Sequence, residues 1–248
     1  VPIGIGMPGA ITRAGVVKNS NTVCLNGRPF HTDLMRLLGR PVQFENDANC
    51  FALAEARLGA ARAYRGVVFG VIMGSGVGGG VVFDGKVWAG PQHLGGEWGH
   101  HAVGPWWAGA GEGQGAVLGA RPVCYCGKRG CLELYASGVA VERDYERRSG
   151  QRSSLADIAQ SREKDPHARA AIEELLEAFG RGLANVIDIL DPAAVVLGGG
   201  VSNLDMLYTE GMARVAKYVF NDELLTPIVR HELGDSAGVL GAALLDDR

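Results

Sequence analysis

The sequence has little of what marks membrane, secreted or nucleic-acid-binding proteins. No apolar run approaches the roughly 18 residues that span a bilayer. The first residues contain neither the basic n-region nor the apolar h-region of a signal peptide. The formal net charge is only −3, so no basic surface for nucleic acid is indicated. We therefore expect a soluble, cytoplasmic protein with neither a membrane nor a nucleic-acid partner.

Cysteine is also scarce and unevenly placed. Of the five cysteines, three lie within residues 124–131. A disulfide framework would use an even number spread over a small secreted chain, so the cluster indicates a metal site in a reducing compartment. Cys24 and Cys50 stand alone and are predicted to be small core residues.

Glycine, in contrast, is abundant, with 38 residues that are neither periodic nor confined to linkers. This distribution excludes collagen and disorder. Most of the glycines follow apolar runs rich in β-branched residues. That placement is typical of loops in which the backbone closely approaches a ligand.

Apolar patterns predict strands alternating with helices, which is an α/β fold. Strands are predicted at 42–44, 66–73 and 194–197, with a hairpin turn at Asp84-Gly85. Helices are predicted at 168–190, at 202–220 and from 241 onward. Residues 90–133 have no period and are too many for an ordinary loop, so something other than core burial must order them.

Residues 74–80 contain a G-x-G-x-x-G string. Dinucleotide binding would need a helix directly after the glycines, but here a strand and a hairpin follow. A glycine loop between antiparallel strands holds phosphate through backbone N–H groups, and a flexible turn is the alternative. The predicted phosphate-binding residues are Gly74, Ser75, Gly76, Val77, Gly78, Gly79 and Gly80.

Three closely spaced cysteines with histidines upstream predict a tetrahedral Cys₃His zinc site. Cys124, Cys126 and Cys131 supply the thiolates, and His100 and His101 both remain candidates for the fourth ligand. A redox-active thiol cluster is the alternative. Four protein ligands leave no open position, so the zinc is expected to shape a loop and not to take part in the chemistry.

Two acidic features are candidates for catalysis and binding. Asp47 follows Asn46 at a predicted helix start, where it could be an N-cap or the carboxylate that accepts a proton during phosphoryl transfer. Glu97 and Glu133 flank the cysteine motif. They are either surface charges or fixed acceptors for substrate hydroxyls.

Taken together, residues 46–49, 74–80, 97–100, 124–133 and 196–200 resemble the motifs of the ROK family of sugar kinases, in order along the whole chain. Residues 15–21 and 25–30 most resemble bacterial fructokinases and manno(fructo)kinases. The resemblance implies an actin-like ATPase (ribonuclease H-like) fold of two lobes, with sugar and ATP in the cleft between them. It also implies a homodimer.

The resemblance further implies that the protein phosphorylates a hexose, fructose or mannose, at the 6-hydroxyl with Asp47 as general base. Its implied cofactors are ATP, Mg²⁺ and a structural Zn²⁺. The implied sugar-binding residues are Gly9, Asn21, Asn46, Asp47, Glu97, His100 and Glu133. The implied zinc ligands are His100, Cys124, Cys126 and Cys131. Gly198, Gly199 and Gly200 would receive adenosine.

The same resemblance divides the chain into three parts. Residues 1–45 are the remainder of a small lobe, 46–234 a large lobe with a zinc-bound loop at 97–133, and 235–248 a C-terminal helix packing back toward the small lobe. The family's Asp-x-Gly-Gly-Thr hairpin does not occur in the sequence, so we expect an N-terminally truncated small lobe and weak or no activity.

Two other functions are compatible with parts of the sequence. One is a sugar-sensing ROK transcriptional regulator whose DNA-binding segment is missing, and the other is a zinc-held interaction module. Such regulators tend to lose the Asn-Asp pair and the glycines of the phosphate loop. The presence of both here favours the kinase.

Overall fold

The computed structural model describes residues 3–12, 14–20, 22–103 and 122–245. The first part of the chain forms two small sheets, in which β1 pairs in parallel with β4 and β2 pairs antiparallel with β3. Helix α1 precedes β4, and helix α2 follows it directly. The elements are β1 (Ile3–Met7), β2 (Ala10–Ile11), β3 (Val17–Lys18), α1 (Phe30–Leu38), β4 (Val42–Asn46) and α2 (Asp47–Arg57).

A five-stranded mixed sheet follows. Its strands are β5 (Val67–Met73), β6 (Val77–Phe83), β7 (Lys86–Val87), β8 (Ala194–Gly198) and β9 (Ile228–Arg230). They lie in the order β7-β6-β5-β8-β9, antiparallel among the first three and parallel from β5 through β8 to β9. The predicted hairpin is confirmed, because Asp84 and Gly85 have φ angles of 47° and 76°, as a type I′ turn requires.

The glycine string forms a shorter loop than predicted, because β6 begins at Val77 and leaves only residues 74–76 between the strands. Gly79 and Gly80 are strand residues with a packing role. A Cβ on Gly80 would lie 2.7 Å from the carbonyl oxygen of Ala48 in α2, and one on Gly79 would lie 2.9 Å from that of Gly96. The two glycines let α2 and the segment around Gly96 approach β6 closely.

Six more helices complete the described fold: α3 (Glu133–Ala136), α4 (Gly138–Ser149), α5 (Leu155–Ser161), α6 (Pro166–Leu190), α7 (Glu210–Tyr218) and α8 (Ala237–Ala243). The predicted helix at 168–190 is confirmed and starts behind an N-cap at Asp165, whose side chain accepts from the N–H of His167. The single helix predicted at 202–220 is wrong in its first half, which forms two short 3₁₀ helices. Side-chain bonds from Ser202 to the Gly199 carbonyl and from Tyr208 to the Ser202 carbonyl hold these tight turns.

The core lies on both faces of the five-stranded sheet, because side chains alternate along its strands. Phe69 and Val71 point toward α6, and Val68 and Val82 toward α2 and α8. Cys50 is fully buried as predicted, but the same prediction for Cys24 is wrong. Cys24 lies in a surface 3₁₀ helix that buries none of its residues. No helix of the described ranges is long and apolar enough to cross a membrane.

Helix α8 packs against α2 and β1 at distances that exclude side chains. A Cβ on Gly241 would lie 1.7 Å from the carbonyl oxygen of Cys50, and one on Gly4 would lie 1.8 Å from that of Ala242. Because α2 begins at Asp47, this contact helps to fix the position of that carboxylate. The division into lobes at residues 45 and 234 stays a prediction.

We expect Gly241→Ala to lower the free energy of unfolding by about 1–3 kcal/mol, because the added methyl group overpacks a backbone contact. Gly238→Ala is the matched control in the same helix, since no heavy atom lies within 4 Å of its Cβ position. It should be neutral or stabilise by up to about 1 kcal/mol. Denaturant unfolding measures both, and equal effects would contradict the close-contact explanation.

Candidate functional site

Asp47 lies where β4 gives way to α2. Asn46 is the N-cap of α2, because its Oδ1 accepts the N–H of Ala48 at 2.9 Å. Its Nδ2 donates to the carbonyl of Gly9 at 3.1 Å, which joins two predicted site residues. The N-cap is therefore Asn46 and not Asp47, although Asp47 Oδ1 also accepts the N–H of Ala48 at 2.9 Å.

The Asp47 carboxylate faces solvent but is largely surrounded by protein. This partial burial raises its pKa, and the backbone hydrogen bond from Ala48 lowers it by less. A raised pKa makes the carboxylate a stronger base than an ordinary aspartate. These surroundings favour Asp47 as a proton acceptor for a hydroxyl placed beside it.

Glu45, which the sequence analysis did not single out, connects the residues on either side of Asp47. The buried Glu45 accepts the N–H of Asn46 and the Nδ2 of Asn49 through the same oxygen, each at 3.0 Å. Asn49 is also buried. The sequence did contain a signal for the role of Glu45, because a glutamate inside a strand, directly before the Asn-Asp pair, is an unusual residue to bury.

Glu97 comes before a 3₁₀ helix, Trp98–His100, that is anchored to β6 by a 2.8 Å bond from Trp98 Nε1 to the Gly78 carbonyl. Burial raises the pKa of Glu97. The Asp47 and Glu133 carboxylates raise it further, whereas His100 and Lys18 lower it. The influence of these groups on Glu97 indicates that the predicted carboxylates and His100 lie near it. Lys18 is an addition that the sequence analysis did not foresee.

Glu133 connects this cluster to the glycine turn. It is the first residue of α3, and its Oε2 accepts the N–H of Val77 at 2.9 Å. A Cβ on Gly76 would lie 2.7 Å from that same oxygen. The turn at 74–76 and the acidic cluster are therefore in direct contact.

The turns at 74–76 and 198–200 lie side by side at the carboxyl ends of the parallel strands β5 and β8. Gly199 has a φ of 80°, and its Cβ position is only 2.4 Å from the carbonyl oxygen of Met73. At Gly74 and Gly200, in contrast, no heavy atom lies within 4 Å of the Cβ position. The N-terminus of α4 is adjacent, because Gly138 donates its N–H to the Gly74 carbonyl at 2.8 Å. Open backbone beside a helix N-terminus suits an anionic ligand.

His100 and the three cysteines of residues 124–131 bring their ligand atoms within 4.8 Å of one another. The Sγ atoms of Cys126 and Cys131 are 3.6 Å apart, and Cys124 Sγ is 3.7 Å from His100 Nδ1. Thiolates bound tetrahedrally at 2.3 Å from zinc would be about 3.8 Å apart, so the cluster fits zinc. No cysteine is in a disulfide.

His101 is the histidine that the cluster excludes. Its ring packs edge-on against Trp98, with centroids 6.3 Å apart, and its Nε2 is buried without a hydrogen-bond partner. Burial also lowers its pKa. The geometry thus brings His100, and not His101, to the thiolates.

Tyr125 was missed by the sequence analysis although it stands between two predicted ligands. Its hydroxyl lies 2.9 Å from His100 Nε2. Burial of that end, with the Glu97 and Glu133 carboxylates, raises the pKa of Tyr125 to about 12. The hydroxyl is therefore protonated at neutral pH and lies beside the acidic cluster. The predicted sugar-binding residue Asn21 lies outside the described residues.

Comparison with known proteins agrees with this arrangement. An N-acetyl-D-glucosamine kinase of Vibrio cholerae is 39% identical over 247 residues, covering 98% of this chain and 80% of that protein. The ROK hexokinase from Thermus thermophilus is similar in structure, with a TM-score of 0.82 and 34% identity, covering 98% of this chain and 77% of that one. A ROK family glucokinase from Streptomyces griseus, in complex with glucose and AMPPNP, has a TM-score of 0.78 and 27% identity, covering 98% and 80%.

The helices around the mixed five-stranded sheet form the actin-like ATPase fold that is shared with these structures. The sequence profile of the ROK family matches residues 1–248. This chain belongs to the ROK family.

We expect the purified protein to contain one zinc ion per chain and Cys126→Ser to lose it, because a structural site needs all four ligands. Cys24→Ser is the matched control, since both cysteines are exposed but only Cys126 lies in the cluster. Metal analysis of protein purified without chelator measures the content. Zinc retained by Cys126→Ser, or lost from Cys24→Ser, would contradict the assignment.

Proposed function

We propose that this protein transfers the γ-phosphoryl group of ATP to a hydroxyl of a hexose. The observation that carries the proposal is the position of Asp47. Its carboxylate, with a raised pKa, belongs to a cluster that reaches the glycine turn through Glu133. Phosphoryl transfer needs such a base beside a phosphate-binding backbone.

In the proposed mechanism, Asp47 accepts the proton of the attacking hydroxyl as that oxygen bonds to the γ-phosphorus. The bond from the γ-phosphorus to the bridging oxygen breaks, and ADP leaves. Glu97, Glu133 and His100 hold the other hydroxyls, with Asn46 and Gly9 at the cleft wall. Holding reactants in line supplies much of the rate enhancement of such transfers.

The phosphates would lie over residues 74–76, because Gly74 leaves open space there and the positive end of the α4 dipole is adjacent. This phosphate-binding segment is shorter than the predicted 74–80, because Gly79 and Gly80 pack against neighbouring backbone. Adenosine would lie at 198–200, where Gly200 leaves open space. Mg²⁺ bound with ATP would neutralise charge on the transferred group.

Zinc fits the donor set of His100 and the cysteines, as the spacing of their atoms indicates. Bound there, it would order the loop that carries Tyr125 and would fix the ring of His100 toward the cleft. All four positions would be filled by protein, so the metal would have no direct part in the transfer. A homodimer stays a prediction.

For the substrate we propose an N-acetylated hexosamine, most simply N-acetylglucosamine. The basis is the 39% identity to an N-acetyl-D-glucosamine kinase over nearly the whole chain. The assignment of fructose or mannose from residues 15–21 and 25–30 has no support from these relatives. The intact geometry around Asn46 and Asp47 favours a kinase over a ROK regulator.

Steady-state ADP release with ATP, Mg²⁺ and a panel of sugars tests the substrate. We expect kcat/KM for N-acetylglucosamine to exceed that for fructose and mannose by at least about tenfold, which corresponds to one well-made hydrogen bond to the acetamido group. N-acetylgalactosamine and glucose complete the panel and separate recognition of the 4-hydroxyl from that of the 2-substituent. A preference for fructose or mannose would restore the earlier assignment.

Asp47→Asn tests the general base, because asparagine keeps the shape of the side chain but cannot accept a proton. We expect kcat to fall by about 10²–10⁴-fold with a much smaller change in sugar affinity. Asp222→Asn, at an exposed position outside the site, should leave both unchanged. An Asp47→Asn enzyme that turns over within tenfold of the parent would remove Asp47 from the mechanism.

A further inference from the structure

Tyr125 combines a solvent-exposed ring with a hydroxyl directed into the site. The residue is 77% exposed, yet its hydroxyl lies 2.9 Å from His100 Nε2. The two rings meet edge to face, with centroids 5.1 Å apart and planes at 83°. This hydrogen bond and ring contact hold the Tyr125 side chain against His100.

The position of the proton on His100 follows from its other nitrogen. Nδ1 is the atom that belongs to the metal-binding cluster, 3.7 Å from Cys124 Sγ. A neutral imidazole that binds metal through Nδ1 carries its proton on Nε2. With zinc bound, His100 therefore has one N–H to offer, and Tyr125 accepts it.

The proposed function needs the same N–H. In the proposed mechanism His100 binds a sugar hydroxyl. Nε2 is the ring nitrogen that does not face the metal-binding cluster. One N–H makes one strong, nearly linear hydrogen bond. The phenol and a sugar hydroxyl therefore compete for a single donor.

Resting on that proposed function, we propose that Tyr125 is a gate for the sugar site. In the empty protein its hydroxyl occupies the place of a sugar hydroxyl on His100, and binding requires its displacement. The ring is mostly in water, so turning it outward sacrifices little packing. Gating by Tyr125 lowers apparent affinity and leaves the chemical step unchanged.

Tyr125→Phe tests the gate because it removes only the competing oxygen. Calorimetric titration of zinc-loaded protein with N-acetylglucosamine should show a Kd about 2–10-fold lower than that of the parent, the range for one net hydrogen bond. We expect kcat to stay within about twofold. Tyr64→Phe, a tyrosine after α2 and outside the site, is the control and should bind sugar as the parent does.

The sign of the change decides between roles. A higher Kd for Tyr125→Phe would mean that the hydroxyl contacts the sugar. An unchanged Kd would mean that the hydroxyl neither contacts the sugar nor competes with it for His100. Either result overturns the gate. A parent protein that binds no sugar of the panel would overturn the proposed function, and the gate with it.

A readout without sugar checks the contact itself. In zinc-loaded protein with ¹⁵N-labelled histidine, the Nε2–H proton of His100 should be protected from solvent exchange in the parent and in Tyr64→Phe. It should exchange faster in Tyr125→Phe, and saturating N-acetylglucosamine should restore its protection. Equal exchange in the parent and Tyr125→Phe, without sugar, would show that the bond does not form and would refute the gate alone.

Discussion

Close backbone packing around helix α2 is the constraint on which the rest of the site depends. On one side Gly80 brings β6 against the Ala48 carbonyl, and on the other Gly241 brings α8 against the Cys50 carbonyl. Neither contact tolerates a Cβ, so α2 has little freedom to shift between sheet and helix. Because α2 starts at Asp47, the same packing that stabilises the fold sets the place of the proposed base.

The charge of the site restricts what it can bind. Asp47, Glu97 and Glu133 are three carboxylates in one cluster, and Lys18 is the cation that lowers the pKa of Glu97 together with His100. A zinc ion with three thiolates and a neutral imidazole carries a net charge of −1, so metal binding would not offset this negative charge. Carboxylates that outnumber the nearby cations are stabilised by hydroxyl donors. The cluster therefore suits a neutral polyol and disfavours a substrate that is already phosphorylated.

The sequence predicted the features that are signalled by neighbouring residues, and it failed for features that depend on segments distant along the chain. The apolar stripe of α6, the hairpin at Asp84-Gly85 and the cysteine cluster are short-range patterns, and the structure confirms all three. The packing roles of Gly79 and Gly80 depend on segments distant in sequence, the one around Gly96 and helix α2, so the string resembled one long loop. Cys24 was misjudged because an isolated cysteine carries no local sign of exposure. The role of Tyr125 could not be predicted because its hydroxyl contacts His100, a residue 25 positions away, and no local pattern signals that contact.

The link from Glu133 to Val77 joins the two halves of the proposed reaction. Glu133 follows the metal-binding loop, and the N–H that it accepts belongs to the first residue of β6, directly after the turn at 74–76. A shift of the loop would therefore move the turn as well, and with it the expected place of the phosphates. Phosphoryl transfer demands that donor and acceptor oxygens stay in line, and a misplacement of about 1 Å can cost 10²-fold in rate. A structural metal in this loop would then affect catalysis through position and not through direct chemistry, since Glu133 connects the loop to the phosphate side.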